Sequence, residues 1–394
     1  MRVVHVYKDI YPVKGGIENY VLALCRELRR AHDVDAQILV TDPGRRTTRT
    51  LVDDIPIVKA GRLVAPASTP LSPALPPLLR ALEPDIVHLH VPYPMGELAY
   101  LLATPRTPMV ITYHSDVVRQ RALMRVYGPV METVLRRARV IMATSPQYKA
   151  SSPWLRRHRA RTRIIPLGID QRPFRALAPP TMALAADLHA RYGPNLLHSH
   201  GVFRYYKGLS YLVEAMAQLP EARLLLSGTG PEEARLRVQV AELDLAERVH
   251  FAGPVSDEDL PAYYHAADVY VLPAVARSEA FGLSMVEAQA SGRPCISTDI
   301  GTGTSYVNSD GVTGLVVPPA NAAALADAAR RLLGDAALRQ RYGLQARTRA
   351  GAIFAIEANA VAVAAIYREV RGNNAFIPSN RVAGATDRTT ATPP

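Results

Sequence analysis

The sequence is poor in cysteine and has no long apolar run. Among its 394 residues there are only two cysteines, Cys25 and Cys295, far apart in apolar surroundings. This excludes a disulfide-stabilised scaffold and favours a reducing compartment. No apolar run approaches the roughly 18–20 residues that a membrane span needs, so none is predicted. The apolar stretch at the amino terminus is too short for a secretion signal and predicts a first β-strand instead.

Acidic residues are almost missing from residues 119–163. This segment has eleven arginines and one lysine against the single acid Glu132, which accounts for the whole net charge of +11. Aromatic residues are scarce there too: only Tyr127, Tyr148 and Trp154 lie between the arginines, and no nucleic-acid-binding motif is present. A nucleic-acid partner is therefore not expected.

The same basic segment has helical periodicity. Between Arg119 and Ala138, apolar residues recur at helical spacing and arginines tend to the opposite side. The Gly128-Pro129 pair predicts a break into two helices. Two interpretations of 119–163 stay open: peripheral contact with the anionic inner face of the plasma membrane by a cytoplasmic protein, or a solvated basic face.

Elsewhere, short apolar runs alternate with helical patterns, which predicts an α/β fold with doubly wound parallel sheets. The alternation pauses at residues 166–194. The chain is therefore expected to form two Rossmann-like halves, residues 1–168 and 169–353, facing each other across a cleft. Residues 371–394 are polar and aperiodic, and they are predicted to be disordered.

In open parallel sheets, ligands bind beyond the carboxyl ends of the strands, so the loops that follow the strands are the candidate sites. Gly15-Gly16 and Gly228-Thr229-Gly230 each separate a strand from a helix. Both fit either a close backbone approach to an anion or a tight turn without a ligand. Arg204 and Lys207 share one loop, which fits a diphosphate site or a solvated basic turn.

Two carboxylates, Glu279 and Glu287, flank the start of a predicted helix at Gly282. A helix start exposes backbone N–H groups to an anion. Glu287 lies among apolar residues, where a carboxylate is costly without hydrogen-bond donors, and sugar hydroxyls would supply them. The alternative is an amphipathic helix whose glutamate faces water.

A metal site is a competing interpretation. His88 and His90 alternate on one strand, and His114 and Asp116 follow the next strand. Such a set could ligate zinc and would make the protein a metal-dependent hydrolase. Histidine pairs at strand ends also occur in clefts without a metal, and His198 and His200 form a second such pair with no assigned role.

Taken together, these loops resemble the retaining nucleotide-sugar glycosyltransferases of family 4, which have the GT-B architecture. The match rests on an ordered set of motifs spread over about residues 1–370. Its strongest member runs from Ser278 to Glu287 and has the E-x7-E spacing. The other members are Gly15-Gly16-Ile17-Glu18, Thr112-Tyr113-His114-Ser115-Asp116, Ile165-Pro166-Leu167-Gly168-Ile169-Asp170, Tyr205-Tyr206-Lys207-Gly208, Gly228-Thr229-Gly230-Pro231, Gly301-Thr302-Gly303-Thr304-Ser305 and Asp310 to Pro319.

The resemblance implies a role for each matching position in the donor site. Lys207 would bind the donor diphosphate, with the backbone of Gly16 against the phosphate, and Gly228 would line the donor. Glu279 and His114 would lie near the transferred sugar. The further positions implied are Phe281, Gly282 and Leu283 as backbone donors, and Glu287 as acceptor of the ribose hydroxyls.

The resemblance also implies a domain plan. The first half would bind the acceptor, the second half would bind the donor, and a C-terminal helix over 354–370 would cross back to the first half. One position departs from the family: Val202 stands where an arginine usually binds the diphosphate. We expect Arg204 to supply that charge.

The implied reaction retains the anomeric configuration and moves a hexose to a glycan or lipid-linked acceptor. No Asp-x-Asp pair stands out as a site for a diphosphate-bound metal, so no metal or other cofactor is expected. The motifs look most like mannosyltransferases of surface-polysaccharide assembly, which favours GDP-mannose over a UDP-hexose. Nucleotide-sugar epimerases and phosphorylases share the architecture and remain a sister interpretation.

Overall fold

The computed structural model describes residues 1–10, 15–64, 70–117 and 124–372. The tail is predicted to be disordered, and its residues from 373 onward lie outside these ranges. Arg119 and Arg121 of the basic segment also lie outside them. Within the described ranges, no helix combines the length and apolarity needed to span a bilayer.

The first sheet has eight strands, and all neighbours in it are parallel except one antiparallel edge pair. In chain order the strands are β1 (Arg2–Val6), β2 (Asp35–Asp42), β3 (Thr48–Val52), β4 (Ile55–Gly61), β5 (Ile86–Val91), β6 (Met109–Tyr113), β7 (Val140–Ala143) and β8 (Thr162–Ile164). Their spatial order is β3-β4-β2-β1-β5-β6-β7-β8, with β3 and β4 as the antiparallel pair.

The second sheet has six strands, all parallel to their neighbours. They are β9 (Leu196–His200), β10 (Arg223–Ser227), β11 (Val249–Gly253), β12 (Val269–Leu272), β13 (Cys295–Thr298) and β14 (Gly314–Val317). Their spatial order is β11-β10-β9-β12-β13-β14.

Helices cover both sheets. They are α1 (Gly16–Ala31), α2 (Leu75–Ala81), α3 (Pro94–Ala103), α4 (Met124–Arg137), α5 (Pro146–Ser151), α6 (Pro153–Arg157), α7 (Arg172–Arg175), α8 (Pro179–Tyr192), α9 (Leu209–Met216), α10 (Glu233–Glu242), α11 (Leu260–Ala266), α12 (Leu283–Ala290), α13 (Thr304–Val307), α14 (Ala322–Gly334), α15 (Ala336–Ile353) and α16 (Ile356–Gly372). The face of α1 that the sequence predicts to be buried, with Val21, Leu24, Cys25 and Leu28, is fully buried.

The strand order reverses at β1 in the first sheet and at β9 in the second. Ligands of doubly wound sheets bind at such switch points, beyond the carboxyl ends of the strands. The loops that follow β1 and β9 carry Gly16 and Lys207, respectively. The topology therefore directs both predicted phosphate-binding loops toward a cleft between the sheets.

The chain crosses between the two halves twice, and the crossings pair with each other. The Ile169 N–H donates to the carbonyl of Phe354 over 3.0 Å, and the Ile356 N–H donates back to Ile169 over 3.0 Å. After this point α16 packs on α1 of the first half, where the Tyr20 hydroxyl donates to Asn359 Oδ1 over 3.2 Å. The GT-B architecture with a returning C-terminal helix is thus confirmed.

Three features differ from the sequence-based expectations. The interruption at 166–194 contains the helix α8, which has only a narrow buried stripe and so gives a weak periodic signal. β3 is an almost wholly exposed edge strand and has no apolar run. α4 continues through Gly128-Pro129, so the predicted break is wrong. Pro129 is exposed, which leaves its ring and the missing N–H on the solvent side of the helix.

Candidate active site

Two helix starts face each other across the cleft. α1 begins at Gly16 and α12 begins at Leu283. A methyl group at Gly16 would lie only 3.1 Å from Leu283 Cδ1, so glycine lets the two helix ends approach. Each end carries the positive end of a helix dipole, and its first backbone N–H groups have no acceptor within the helix itself. The structure thus brings two predicted donor-binding positions together, at a place suited to an anion.

The turn before α12 displays further backbone donors. Gly282 precedes the helix with φ +88°, a left-handed conformation that favours glycine. The N–H groups of Phe281, Gly282 and Leu283 have no hydrogen-bond acceptor among the described residues. Phe281 itself is buried, with its ring edge-on to Phe354. These three N–H groups are available to phosphate or hydroxyl oxygens.

Lys207 and Glu279 form an ion pair. Lys207 ends a short 3-10 turn after β9, and Glu279 lies in the loop between β12 and α12. Lys207 Nζ is 2.7 Å from Glu279 Oε2, and the side chains are only 13% and 12% exposed. Burial acts to lower the pKa of Lys207, but the nearby Glu279 carboxylate more than offsets this and leaves it raised. The side chain of Lys207 is therefore permanently charged. Its partner, the Glu279 carboxylate, can be replaced by a diphosphate.

Glu287 lies on the inner side of α12. The Tyr264 hydroxyl donates to its Oε2 over 2.6 Å, and its other oxygen has no donor among the described residues. Burial raises the pKa of Glu287 to about 7. The protein thus supplies a hydrogen-bond donor to one carboxylate oxygen of Glu287, and the other oxygen remains for a ligand hydroxyl.

Gly228 and Arg204 occupy different places in the donor half. Gly228 has φ +115°, and a methyl group there would lie 2.1 Å from the carbonyl oxygen of Gly201, so the loops after β9 and β10 touch. Arg204 is exposed and has no ion pair among the described residues. Burial raises the pKa of the Tyr206 phenol, and both Lys207 and Arg204 act to lower it. The positive charge of Arg204 therefore influences the same phenol as the charge of Lys207, although Arg204 does not contact Glu279.

His114 follows β6 and is 2% exposed. Its Nε2 lies 3.0 Å from His90 Nδ1, while its Nδ1 is buried without a partner among the described residues. Burial lowers the pKa of His114 to about 3, so the ring is neutral near pH 7. A neutral imidazole with one unused nitrogen suits a hydroxyl ligand.

The alternative metal site is wrong, because Asp116 does not join the histidines. Its carboxylate contacts Arg277 at 3.0 Å and accepts from the hydroxyls of Tyr113 and Ser152 at 2.8 and 2.7 Å. The hydrolase set of His88, His90, His114 and Asp116 is therefore not assembled.

A different trio, His5, His88 and His90, has ring nitrogens within 4.8 Å of one another. The rings of His88 and His90 stack with centroids 4.4 Å apart and an angle of 21°. A metal lies near the plane of each imidazole that binds it, and two nearly parallel rings stacked face to face 4.4 Å apart cannot both hold one ion near their planes. Both nitrogens of His88 and of His90 are also already hydrogen-bonded. These residues do not fit a metal.

Arg277 was not identified from the sequence, yet it joins the two halves next to the site. Besides Asp116, its guanidinium donates to Ser151 Oγ at 3.0 Å and to the Gly301 carbonyl at 2.8 Å. It also lies over the ring of Tyr148, 5.2 Å from the centroid. The only signal in the sequence is a cation two residues before Glu279, which does not reveal a partner 161 residues away.

Asp257 is a second residue that sequence reasoning passed over. It begins the run Asp257-Glu258-Asp259, which has Asp-x-Asp spacing and is exposed. The carboxylate of Asp259 accepts from Ser256 Oγ at 2.9 Å. Asp257 lies close enough to Glu287 to contribute to the rise of its pKa, after burial and the opposing Tyr264 contact. Asp257 is thus at the edge of the donor half of the cleft.

Comparison with known proteins gives matches along most of the chain. The family model described as Glycosyltransferase Family 4 matches residues 14–172, and that described as Glycosyl transferases group 1 matches residues 184–349. The chain is 35% identical to O-antigen chain mannosyltransferase C of Escherichia coli over 89% of this chain and 93% of that protein. It is 36% identical to a D-rhamnosyltransferase of Pseudomonas aeruginosa over 90% and 92%. Sucrose-phosphate synthase from Thermosynechococcus elongatus superposes with a TM-score of 0.77 at 26% identity, covering 94% and 99% of the two chains.

Proposed function

This chain belongs to the glycosyltransferases of family 4, and from that membership we propose that it moves mannose from GDP-mannose, with retention, to a glycan or lipid-linked acceptor in surface-polysaccharide or glycolipid synthesis. The observation that carries the proposal is the buried Lys207–Glu279 pair beside the two facing helix starts. The similarity to an O-antigen mannosyltransferase and a D-rhamnosyltransferase supports a mannose-type donor. A UDP-hexose is the alternative donor.

In the proposed reaction, negative charge develops on the departing diphosphate. Lys207, Arg204 and the N–H groups at the starts of α1 and α12 stabilise that charge, so no metal or other cofactor is needed. The bond between the anomeric carbon and the diphosphate oxygen breaks while the acceptor oxygen bonds to the same carbon. The acceptor proton passes to a phosphate oxygen. Glu287 holds the ribose hydroxyls, and Glu279 and His114 contact the transferred sugar.

The domain roles in this proposal follow from the position of these groups. The donor-binding residues come mainly from 169–353, and the first half, 1–168 with the helix at 354–370, binds the acceptor. The contacts of Gly16 with Leu283 and of Asp116 with Arg277 close the cleft between them. A closed cleft excludes water and so limits hydrolysis of the donor.

We also propose that the protein is cytoplasmic and that the basic segment 119–163 lies against the anionic inner leaflet. Within its described part, nine arginines are exposed, and Val126 on α4 is 76% exposed. Each cation near such a leaflet contributes on the order of 1 kcal/mol, so a few are sufficient for reversible binding. The solvated basic face remains the competing explanation.

A donor screen tests the activity. Purified protein is mixed with GDP-mannose, UDP-glucose and UDP-galactose, and thermal stabilisation and nucleotide release are recorded. GDP-mannose is expected to raise the melting temperature most and to release GDP when an acceptor glycolipid is added. Stabilisation by a UDP-sugar alone would replace the donor assignment, and no response to any nucleotide sugar would overturn the proposed activity.

Vesicle flotation tests the membrane contact. The protein is expected to float with vesicles that contain anionic lipid and to stay behind with neutral ones. The double variant Arg136→Glu/Arg137→Glu should lose flotation. Arg235→Glu/Arg330→Glu makes the same charge change on exposed arginines of the donor half and should keep it. Equal behaviour of the two variants would contradict a specific contact through this segment.

A further inference from the structure

Two histidines on β9 have no role in the reaction described so far, and only one of them is accessible to a ligand. His198 and His200 are two positions apart on the strand and therefore face the same side of the second sheet. His198 is fully buried, whereas His200, the last residue of β9, is partly exposed. His200 thus lies at the carboxyl end of the strand where the order of the sheet reverses, which is the place where such sheets bind their ligands.

One edge of the His200 ring is held by the neighbouring strand. Ser227, the last residue of β10, pairs with His200 across the sheet, and its Oγ is 2.9 Å from His200 Nδ1. The same oxygen is 2.8 Å from His198 Nε2. His200 Nε2 has no hydrogen-bond partner among the described residues and, unlike His198 Nδ1, it is not buried. The ring therefore presents one unused and accessible nitrogen at the end of the strand.

Residues predicted to bind the donor flank this ring on two sides. On one side, the His200 ring is 6.3 Å from the ring of Tyr264 between centroids, and the Tyr264 hydroxyl donates to Glu287. On the other side, Gly201 follows His200 directly, and a methyl group at Gly201 would lie 3.6 Å from Lys207 Nζ. His200 thus lies between the carboxylate assigned to the ribose hydroxyls and the ammonium assigned to the diphosphate.

The contacts of His200 allow its accessible nitrogen to carry a proton. Burial and, next, the charge of Lys207 lower the pKa of His200 to about 4, so the imidazole is neutral near pH 7 and has one N–H. With that proton on Nε2, Nδ1 accepts from the Ser227 hydroxyl, and Ser227 Oγ accepts from His198 Nε2–H. Each of these three side chains then has a partner, and His200 Nε2–H remains for an anionic oxygen.

We propose that His200 is a further donor-binding residue, whose Nε2–H donates to a phosphate oxygen of the nucleoside diphosphate between the positions bound by Glu287 and Lys207. The identity of this ligand rests on the proposed function. Val202 stands where an arginine usually binds the diphosphate; it is apolar and 44% exposed, so it makes no such hydrogen bond. His200 supplies a hydrogen bond to the diphosphate from the preceding strand instead.

The test replaces His200 by two amides that each keep one of its contacts. The shorter amide of His200→Asn reaches the position of Nδ1, so this variant keeps the contact with Ser227 and loses the contact made by Nε2. The longer amide of His200→Gln reaches the position of Nε2 and does the reverse. His250→Gln is the control, because His250 lies on the edge strand β11 and packs on Tyr192 with ring centroids 4.8 Å apart.

Affinity for GDP and for UDP is measured by calorimetry, and a thermal transition confirms the fold of each variant. His200→Asn should bind the preferred nucleotide about tenfold to 100-fold more weakly than the wild type, as expected for the loss of a hydrogen bond to a charged group. His200→Gln and His250→Gln should bind it about as well as the wild type. Equal affinities of His200→Asn and His200→Gln, whether lowered or normal, would overturn the proposal.

A second readout uses the wild-type protein and decides the question if His200→Asn does not fold. In the nitrogen NMR spectrum of histidine-labelled protein, the Nε2 resonance of His200 should shift when GDP or UDP is added. An Nε2 resonance that saturating nucleotide leaves unchanged would also overturn the proposal. Failure of the wild type to bind either nucleotide would contradict the proposed function as well, whereas the other adverse outcomes leave that function intact.

Discussion

At the scale of single residues, the site is built from charges that are buried and paired. Lys207 keeps its charge because Glu279 lies beside it, and Glu287 is held close to neutrality by burial although Tyr264 donates to it. A buried charge without a partner is costly, so each pair maintains the protonation state that the donor meets. Sequence motifs identified Lys207, Glu279 and Glu287, but neither Tyr264 nor the pairing.

The first prediction concerns Lys207→Ala. Loss of this ammonium removes the cation closest to the departing diphosphate and leaves Glu279 as an unpaired anion at the site. Turnover should fall on the order of 100-fold or more, as for removal of a single oxyanion-stabilising donor. The measurement is kcat in a nucleotide-release assay.

Lys149→Ala is the matched control for that variant. Lys149 Nζ donates to the Thr162 carbonyl, away from the site. Its turnover should stay close to that of the wild type, and both variants should keep a cooperative thermal transition. Normal turnover of Lys207→Ala would remove Lys207 from the mechanism.

At the scale of elements, the start of α12 depends on the conformation of Gly282. Both Gly282 and Gly253 have positive φ, +88° and +71°. A methyl group at Gly282 would lie 2.6 Å from Met285 Cε, whereas one at Gly253 meets nothing within 4 Å. Substitution by alanine would therefore strain the backbone at both positions, but only at Gly282 would the added methyl group collide with a side chain.

The second prediction compares Gly282→Ala with Gly253→Ala. Left-handed strain should cost each variant about 1–2 kcal/mol in the free energy of unfolding, measured with urea. Gly282→Ala should lose more, because Met285 must move. It should also bind the nucleotide sugar more weakly, since the N–H groups of Phe281, Gly282 and Leu283 shift. Equal donor affinity in both variants, measured by calorimetry, would show that this turn does not bind the donor.

At the scale of the whole molecule, the cleft is closed by contacts between the halves. Asp116 and Arg277 are 13% and 30% exposed, and Arg277 reaches two further acceptors, Ser151 and Gly301. The residues come from the loop after β6, from α5, and from the loops after β12 and β13, so only the docking of the halves brings them together. Such a bridge sets the distance between donor and acceptor groups.

The third prediction is that Arg277→Gln loosens this closure. Turnover should fall roughly tenfold to 100-fold, because small misplacements of reacting groups are costly. X-ray scattering should show a larger radius of gyration without donor. Arg163→Gln is the control, because it breaks the exposed pair with Glu369 within the first half, which contributes little. If both variants scatter and turn over alike, the bridge does not control closure.

The fourth prediction is the dependence of stability on pH. Burial lowers the pKa of eight histidines, to about 3 for His5 and His114 and to about 4 for His200; the others are His88, His90, His198, His250 and His265. Below about pH 6.5 the unfolded chain binds protons that the folded chain does not, so stability is lost as the pH falls. The melting temperature should drop between pH 6.5 and 5.

The buried carboxyls Glu97 and Glu287 act in the opposite direction. Burial raises the pKa of each to about 7, so their contribution is complete below pH 4.5 and is lost as the pH rises through 7. Burial also raises the pKa of Glu18, and the eight histidines outweigh these three carboxyls on the acid side. Glu287→Gln should therefore melt higher than the wild type at pH 8 but not at pH 5. A flat melting temperature between pH 6.5 and 5 would contradict the assignment of neutral histidines.

Local patterns in the sequence determined the general plan of this protein. Periodicity is a property of neighbouring residues, so the alternation of strands and helices predicted two α/β halves, and the motif order predicted the family. The same reasoning missed α8, whose buried stripe is narrow, and the exposed edge strand β3. It also predicted a helix break at Pro129, but α4 continues through this proline because the proline lies on the solvent side of the helix.

Only the tertiary structure decided which functional groups touch. Lys207 and Glu279 are 72 positions apart, and Asp116 and Arg277 are 161 positions apart. Their contacts depend on strand order and on the docking of the two halves, and the spacing of residues along the chain reveals neither. The histidines that suggested a metal are instead hydrogen-bonded to one another or to Tyr367, because α16 returns to place Tyr367 among them.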